Sequence, residues 1–327
     1  EERRNKQSAS STLLSLNDPA ELIYQTAEPA LLQTAPSEIV KAQLSTPLPA
    51  LTVSNEGSRT RLMQFAAAIG VELKLLGGER SLIVLAPLTV FLCCLELSPS
   101  GAAPVASVYA ANSAQALLLI LSGIALFYTG ETMHRERECR AEPLLWSTPA
   151  PDWIFLLSKF ASLSLISLAL MAAVALSAIA LHLYRDMASV ALAPYLIVYT
   201  VILLPSLLFI IDAVITLHVI LREKYLAHAV GLGIGGGLIY LLLQGHTNPL
   251  YNPALYRLWT YSDLTGSAPF RNGILLHRVY WLAITVAALA LAHRFHPRVT
   301  TRVWRPAMTT AIAAILIAVI AGICLNR

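Results

Sequence analysis

Seven long apolar runs dominate the pattern of the 327-residue chain. A helix needs about 20 predominantly apolar residues to cross a bilayer, and each run approaches or exceeds that length. Pro205 lies within the fourth run and predicts a kink, because proline lacks the amide hydrogen that a helix uses. The pattern therefore predicts an all-α, polytopic integral membrane protein. The predicted spans are 81–98, 108–129, 153–183, 192–220, 225–244, 274–293 and 308–325.

Two polar segments precede the first span. Residues 1–60 are rich in Ser, Thr, Pro and Gln, which predicts a polar cytoplasmic arm or linker with one short helix near Glu21–Leu32. Residues 61–78 alternate with helical period and predict an amphipathic helix that lies in the membrane interface or faces solvent. Its apolar side holds Phe65, Ile69, Leu73 and Leu76, and its polar stripe holds Arg61, Gln64, Glu72 and Glu79. The pair Gly77-Gly78 that follows predicts a flexible joint to the first span.

Composition narrows the class of protein. Hydrophobic residues make up 56% of the chain and charged residues 13%, against about 25% charged in soluble domains. These values exclude an ordinary soluble enzyme and a disordered chain, and a net charge of +4 is too small to indicate a nucleic-acid partner. Four scattered cysteines exclude a disulfide framework, and Cys93 and Cys94 are expected to be buried apolar residues. Because the chain starts at Glu1 without Met, we expect a processed or truncated piece of a longer protein.

The distribution of basic residues predicts the orientation. Cytoplasmic segments of membrane proteins carry an excess of Lys and Arg. With a cytoplasmic N-terminus and an external C-terminus, only five of the 23 basic residues lie outside. Those five are Arg185, Arg257, Arg271, Arg278 and Arg327. The long external loop 245–273 carries Tyr251, Tyr256, Trp259 and Tyr261, which predict an interfacial anchor or a substrate contact.

The segment 131–142 between the second and third spans has the densest charge. It contains no Gly or Pro, and Pro143 and Pro149 follow it, so it predicts a short cytoplasmic helix within a hairpin. Such an element can press on a soluble partner and transmit force, or it can be a solvated loop whose charges enforce topology. The candidate coupling residues are Glu131, Arg135, Glu136, Arg137 and Arg140.

These residues carry a resemblance to a known family. Gly130-Glu131, Arg135-Glu136-Arg137, Ser147-Thr148-Pro149 and Lys159 together resemble the exporter-type, type 2 ABC-transporter permeases. In that family the corresponding loop is the coupling helix, and a helix like 61–78 is the elbow helix. The resemblance covers about residues 61–295, and the order of elements supports it more than any single residue does. It implies a six-span permease domain over 79–295 with the coupling helix near 131–142.

The resemblance implies a function and partners. The chain would be the membrane-spanning permease subunit, or half of one, of an ATP-driven exporter in the bacterial plasma (inner) membrane. Its expected partners are an ATP-binding ABC subunit, membrane lipids and a second permease half, either a homodimer mate or a fused sister half. Residues 296–327, a loop and a seventh span, depart from the simplest members. They resemble fused permeases that continue into a zinc aminopeptidase-like domain, although this chain has no H-E-x-x-H.

Motifs for other chemistry are absent or weak. The chain has no G-x-x-x-x-G-K-[ST], so we expect no ATP site of its own and no enzyme activity. A G-x-G-x-x-G at Gly231, Gly233 and Gly236 lies inside an apolar span without a preceding strand. The pairs Gly231/Gly235 and Gly233/Gly237 instead predict close helix approach. No metal-ligand set, cofactor site or catalytic triad is expected.

Three ionisable residues lie in or near the spans. Asp212 lies well inside the fourth span, where an ionised carboxylate that faced lipid would cost several kcal/mol. It is expected to face the bundle interior or to be protonated, with a role in gating or the substrate path, or as a structural hydrogen-bond partner. Glu96 and Lys159 are near span ends, where they are expected to reach the interface.

Two other functions remain open from the sequence. A secondary transporter or channel would use charged residues along a midplane path, for which Asp212 is the one good candidate. A membrane anchor for an attached peptidase or sensor domain would require no transport at all. An ATPase encoded beside this chain, or in its flanks, would favour the exporter over both.

Overall fold

Long α-helices make up the computed structural model of this protein, which describes residues 57–96, 106–148, 150–186, 192–246, 248–254, 270–296 and 304–326. The predicted arm lies outside these residues, apart from 57–60. The helices before the fourth predicted span are α1 (Ser58–Gly77), α2 (Arg80–Glu96), α3 (Ala106–Glu138), α4 (Glu142–Trp146) and α5 (Asp152–Asp186). The later ones are α6 (Leu192–Leu196), α7 (Leu204–Leu221), α8 (Lys224–Leu243), α9 (Arg271–Phe295) and α10 (Trp304–Leu325).

The helices agree with six of the seven predicted spans, although α3 runs to Glu138 and not to residue 129. Six stretches are long and apolar enough to cross a membrane: α3, α5, the stretch from α6 to α7, α8, α9 and α10. A seventh is counted when α1 and α2, which meet at a bend of 79°, are taken as one broken span. The all-α fold is thus consistent with a polytopic membrane protein. The bend lies at the predicted Gly77-Gly78 joint.

The fourth span is distorted just before Pro205. Between α6 and α7 the residues Ile197–Leu203 form a π-helical segment, and the Leu204 amide donates to the Tyr199 carbonyl five residues earlier. Because Pro205 has no amide hydrogen, it cannot donate the normal helical hydrogen bond to the Val201 carbonyl. The helical turn before it widens to include one extra residue. Ser206 Oγ compensates by donating to the Ile202 carbonyl at 2.8 Å. The deviation predicted at Pro205 therefore takes the form of a π segment.

The core lies where α3, α5 and α7 meet. Leu117 and Leu121 of α3 and Ile211 and Ile215 of α7 are completely buried there. Leu156 and Val174 of α5 complete the same cluster.

The outward faces are strongly apolar. In α10, alanines at heptad spacing (Ala307, Ala311, Ala314, Ala318 and Ala321) pack inward against α9. The bulky residues of the same helix, such as Leu316 and Ile320, are 58% and 63% exposed. Small residues inward and large apolar residues outward are what a lipid-facing helix needs, because close packing drives helix association in lipid.

The helix α8 is the least covered by the rest of the chain. Ala227 is its one buried residue among those the structure describes. Of the predicted close-approach glycines, Gly231 meets a neighbour: a Cβ there would lie 2.6 Å from Leu126 of α3. Nothing lies within 4 Å of a Cβ built at Gly233, Gly235 or Gly237. Within the described chain, the Gly233/Gly237 pair therefore makes no helix contact.

Candidate functional site: an ion-pair cluster at one end of the bundle

Four helix ends meet at the end of the bundle that we call the charged end. They are the C-termini of α1, α3 and α7 and the N-terminus of α5, with α8 starting beside them. The five candidate coupling residues, 131 to 140, all lie here because α3 does not stop at residue 129. It continues for about three more turns to Glu138. The charged segment is thus the end of a 33-residue helix, where the sequence predicted a separate helix over 131–142.

Lys159 of α5 is the centre of the charged end. The side chain is buried, with 3% of the residue exposed. Its Nζ lies 2.8 Å from Glu72 Oε1 of α1 and 2.7 Å from Glu136 Oε1 of α3. It also donates to the Thr132 carbonyl at 2.9 Å. Three acceptors use all three N–H groups of the ammonium, so Lys159 joins α1, α3 and α5.

The predicted orientation of Lys159 is therefore wrong. A lysine near a span end was expected to extend to the interface, but this one points into the protein. The reason is that two carboxylates from other helices lie within reach, and an ion pair with both outweighs hydration of the ammonium. Sequence reasoning could not see those partners, since Glu72 is 87 residues away along the chain.

Glu72, which the sequence places on the polar stripe of α1, faces inward. The packed face of α1 runs through Phe65, Glu72 and Leu76, at helical spacing of seven and four residues. The ring centroids of Phe65 and Trp153 of α5 are 5.9 Å apart, and Leu76 is fully buried. The other side of α1 exposes apolar residues, among them Leu62 at 70% and Val71 at 57%. The helix is amphipathic in the sense that its exposed apolar face suits a lipid interface.

A second lysine links α3 to α8. Lys224 Nζ lies 2.9 Å from Glu131 Oε2 and 3.0 Å from Glu138 Oε1. The two carboxylates are seven residues apart on α3, which is two helical turns, so they lie on one face. Lys224 is the first residue of α8. Its ion pairs therefore anchor the start of that helix to the end of α3.

Two arginines of the candidate set also have partners inside the protein. Arg135 Nη2 lies 3.6 Å from Glu79 Oε1, beside the bend between α1 and α2. Arg137 Nε lies 3.3 Å from Glu142 Oε1 of α4. Arg137 Nη1 donates to the Arg222 carbonyl, beyond the end of α7, at 3.1 Å. Arg135 thus faces inward, whereas Arg137 is half exposed and closes the turn.

The turn after α3 presents the remaining candidate to solvent. The Ala141 amide donates to the Glu136 carbonyl at 2.8 Å, which is the closing bond of a Schellman motif. Arg140 occupies the left-handed position of this motif with φ of 54° and is exposed. Pro143 and Trp146 of α4 are also exposed, Trp146 by 42%. A compact exposed surface, Arg137 to Trp146, therefore caps the buried ion pairs.

Three histidines pack together just below the ion pairs. His134 Nε2 lies 3.2 Å from His218 Nδ1, and the His218 and His228 rings meet edge to face at 5.2 Å. Gly130 makes room for them, since a Cβ there would lie 2.4 Å from the His228 ring. In the described part of the chain no group of three or more His, Cys, Asp or Glu could hold a metal ion. The sequence signal that could have found this cluster is the pair His218 and His228 on either side of the short 222–223 turn.

Asp212 lies away from the charged end. Asp212 is fully buried in the middle of α7, as are Ile211 and Ile215 of the same helix. The sequence predicted this interior position, because a charge exposed to lipid is costly. Neither carboxylate oxygen has a hydrogen-bond partner among the described residues. The predicted interior position is therefore observed, but the hydrogen-bond partner that a structural role would need is not there.

A separate polar cluster fixes a loop at the opposite end. Arg278 Nη1 of α9 donates to Ser206 Oγ at 2.8 Å and to the Pro253 carbonyl at 3.1 Å. His277 Nε2 lies 3.1 Å from the carbonyls of both Pro249 and Asn252. These contacts hold residues 249–253 against α7 and α9. Tyr251 is 37% exposed beside them, and the other predicted anchors, Tyr256, Trp259 and Tyr261, lie outside the described residues.

Comparisons with known proteins give no family. No protein-family model matches this chain. No curated protein matches it either.

Proposed function

We propose that this chain is the membrane-spanning permease subunit, or half, of an ATP-binding-cassette exporter. In this proposal an ATP-binding partner docks on the exposed surface from Arg137 to Trp146, and its movement switches access through the spans. The supporting observation is the way the charged end is built. One exposed turn stands beside the buried Lys159 cluster and the partly exposed Lys224 cluster, and these connect it to α1, α3, α5 and α8.

Force applied to the turn has a direct route to the spans. Near the end of α3, Glu136 pairs with Lys159 and Glu138 pairs with Lys224. A shift of α3 must therefore move both lysines with it or break their ion pairs. Breaking a buried ion pair by removing one partner costs about 3–5 kcal/mol. Moving the helices together is therefore easier than separating them, and the charged end behaves as one unit.

The five candidate residues divide into two roles under this proposal. Arg137 and Arg140 lie at the exposed surface and would contact the ATP-binding partner. Glu131, Arg135 and Glu136 pair with other residues of the chain and would transmit the movement to α8, to the α1–α2 bend and to α5. The chain supplies no ATP site, so hydrolysis belongs to the partner. A second permease half would complete the path for the substrate. If the charged end is cytoplasmic, the exposed turn lies on the side of the membrane where an ATPase is found.

Co-purification tests the proposal. The tagged chain is extracted from native membranes, and bound proteins are tested for ATP hydrolysis and identified. We expect an ATP-binding subunit to be recovered with wild type and lost with Arg140→Glu. The control is Arg59→Glu, an exposed arginine at the start of α1, which should retain the partner. Recovery of no ATPase from wild type, or equal recovery with Arg140→Glu, would contradict the docking assignment.

A secondary transporter or channel is the second candidate, and Asp212 favours it. A buried carboxyl at mid-span is the type of residue that ion-coupled transporters use. Reconstituted chain that moves substrate across a liposome membrane without ATP, driven by an ion gradient, would support this function over the exporter.

A further inference from the structure

Asp212 lies in a buried, apolar stretch of α7. The residue is fully buried, and so are Leu207, Ile211 and Ile215 of the same helix, at 1%, 0% and 0% exposure. Both oxygens, Oδ1 and Oδ2, are without a hydrogen-bond donor. A buried ionised carboxylate is expensive unless a cation or several donors compensate it. Asp212 has neither.

The charged and titratable groups on the surrounding helices lie at other levels of the bundle. Helices α7 and α9 run parallel, and three contacts fix their register: Ser206 with Arg278, Phe209 with Trp281, and Thr216 with Ala288. Asp212 is therefore level with position 284. Most of these groups lie nearer the charged end than Asp212 does: Glu131 and His134 on α3, Lys159 on α5, His218 on α7, Lys224 and His228 on α8, and His293 on α9. Two others, His277 and Arg278 on α9, lie nearer the opposite end.

Arg278 is the cation nearest in register on α9, and it does not compensate Asp212. It is bonded to Ser206, six residues before Asp212, which is about 9 Å along a helix. The Phe209 and Trp281 rings, with centroids 4.5 Å apart, lie between the two levels. Arg278 itself is 4% exposed, and within the described segments its Nε and Nη2 have no hydrogen-bond partner. The packed state thus keeps an acid and a base of one interface apart.

We propose that Asp212 is a proton-binding site of this protein, occupied in the packed state and emptied when α7 separates from α9. A proton is the ligand that fits, because it removes the charge and needs no cavity. On binding, one Asp212 carboxylate oxygen forms an O–H bond while an O–H bond of a hydronium ion breaks, which leaves a water molecule. On opening, water or the free N–H groups of Arg278 stabilise the carboxylate, and the proton returns to water.

This inference links the conformational equilibrium of the bundle to pH. The packed state binds one more proton than the opened state, so rising pH favours opening. Over the pH range in which the packed state holds the proton and the opened state has released it, each pH unit lowers the ratio of packed to opened protein about tenfold. The link does not require ATP or any partner, so it is independent of the exporter proposal.

Infrared spectroscopy tests the protonation directly. Wild type and Asp212→Asn, both reconstituted and shown by gel filtration to be folded, are compared at neutral pH. We expect a protonated-carboxyl C=O band in wild type that is missing from the variant. Asparagine has the shape of the neutral acid, so the variant should fold. A carboxylate band in place of the C=O band would overturn the proposal.

Thermal unfolding across roughly pH 6 to 9, where surface carboxyls stay ionised, tests the linkage. Wild type should lose stability relative to Asp212→Asn as the pH rises, while histidines and lysines contribute equally to both proteins. The control is Glu223→Gln, an exposed carboxyl in the turn before α8, which should follow wild type. Parallel curves for wild type and Asp212→Asn would overturn the link between proton release and opening.

Discussion

Lys159 and Glu72 form a buried ion pair, with 2.8 Å between Nζ and Oε1, although 87 residues separate them in the sequence. Glu136 shares the same ammonium at 2.7 Å. The helix α1, which bends away from α2 by 79°, is thereby fastened to the ends of α3 and α5. This three-residue cluster joins α1, α3 and α5 at the charged end.

Removal of the shared ammonium is expected to destabilise the protein strongly. Lys159→Met leaves Glu72 and Glu136 close together without their shared cation, and Glu72 is largely buried. The free energy of unfolding should fall by about 3–5 kcal/mol, as for other broken buried pairs. Thermal unfolding in detergent, followed by size-exclusion chromatography, measures the loss.

A triple variant separates the charge effect from packing. Lys159→Met combined with Glu72→Gln and Glu136→Gln removes both stranded carboxylates and should regain much of the lost stability. If Lys159→Met alone unfolds at the same temperature as wild type, the ion pairs do not stabilise the charged end.

Gly130→Ala is expected to disturb the histidine cluster. Its Cβ would lie 2.4 Å from the His228 ring, which cannot easily move away because its Nδ1 is bonded to the Lys224 carbonyl. Overpacking of this kind costs about 1–3 kcal/mol of unfolding free energy. Thermal unfolding checks the loss, and adding His228→Ala to the variant should restore stability.

Gly123→Ala is the matched control on the same helix. Nothing lies within 4 Å of a Cβ at this position. Because alanine has a higher helix propensity than glycine, by up to about 1 kcal/mol, this variant should be neutral or slightly stabilised. Equal destabilisation by both substitutions would show that the glycines matter for flexibility rather than for space at His228.

Charge reversal should separate the two proposed roles of the coupling residues. Arg137→Glu, at the half-exposed turn, should uncouple ATP hydrolysis from transport while changing the melting temperature little. Glu131→Lys and Arg135→Glu, which face internal partners, should uncouple and also destabilise the protein. ATPase and transport assays on reconstituted complexes, with melting curves, check this; full transport by all three folded variants would contradict the coupling assignment.

Cysteine labelling tests the orientation. Cys139 is exposed at the charged end, and Cys324 is exposed at the end of α10, on the opposite side of the bundle. In single-cysteine variants, a membrane-impermeant maleimide should label Cys324 in intact spheroplasts and Cys139 in inside-out vesicles. The buried Cys93 is the control and should react only after denaturation. Labelling of Cys139 and Cys324 from the same side would rule out the predicted topology.

Much of the fold could be predicted from the sequence because its signals are local. Apolar runs predicted six of the seven spans, although α3 is longer than its predicted span, and Gly77-Gly78 marked the bend after α1. The cost of a charge in lipid placed Asp212 inside the bundle. The density of charge at 131–142 located the candidate site, although residues 131–138 are the end of α3 and not part of a separate short helix.

The pairing of side chains across helices was decided only by the tertiary structure. Helical periodicity put Glu72 on a polar stripe, and position near a span end put Lys159 at the interface; both point inward instead. Their burial depends on a third helix that brings Glu136 within 2.7 Å, and no local pattern carries that information. The sequence by itself determined which segments are helical and apolar, since those properties depend on neighbours along the chain. Which charges meet, and which one is left without a partner, depends on the packing of distant helices.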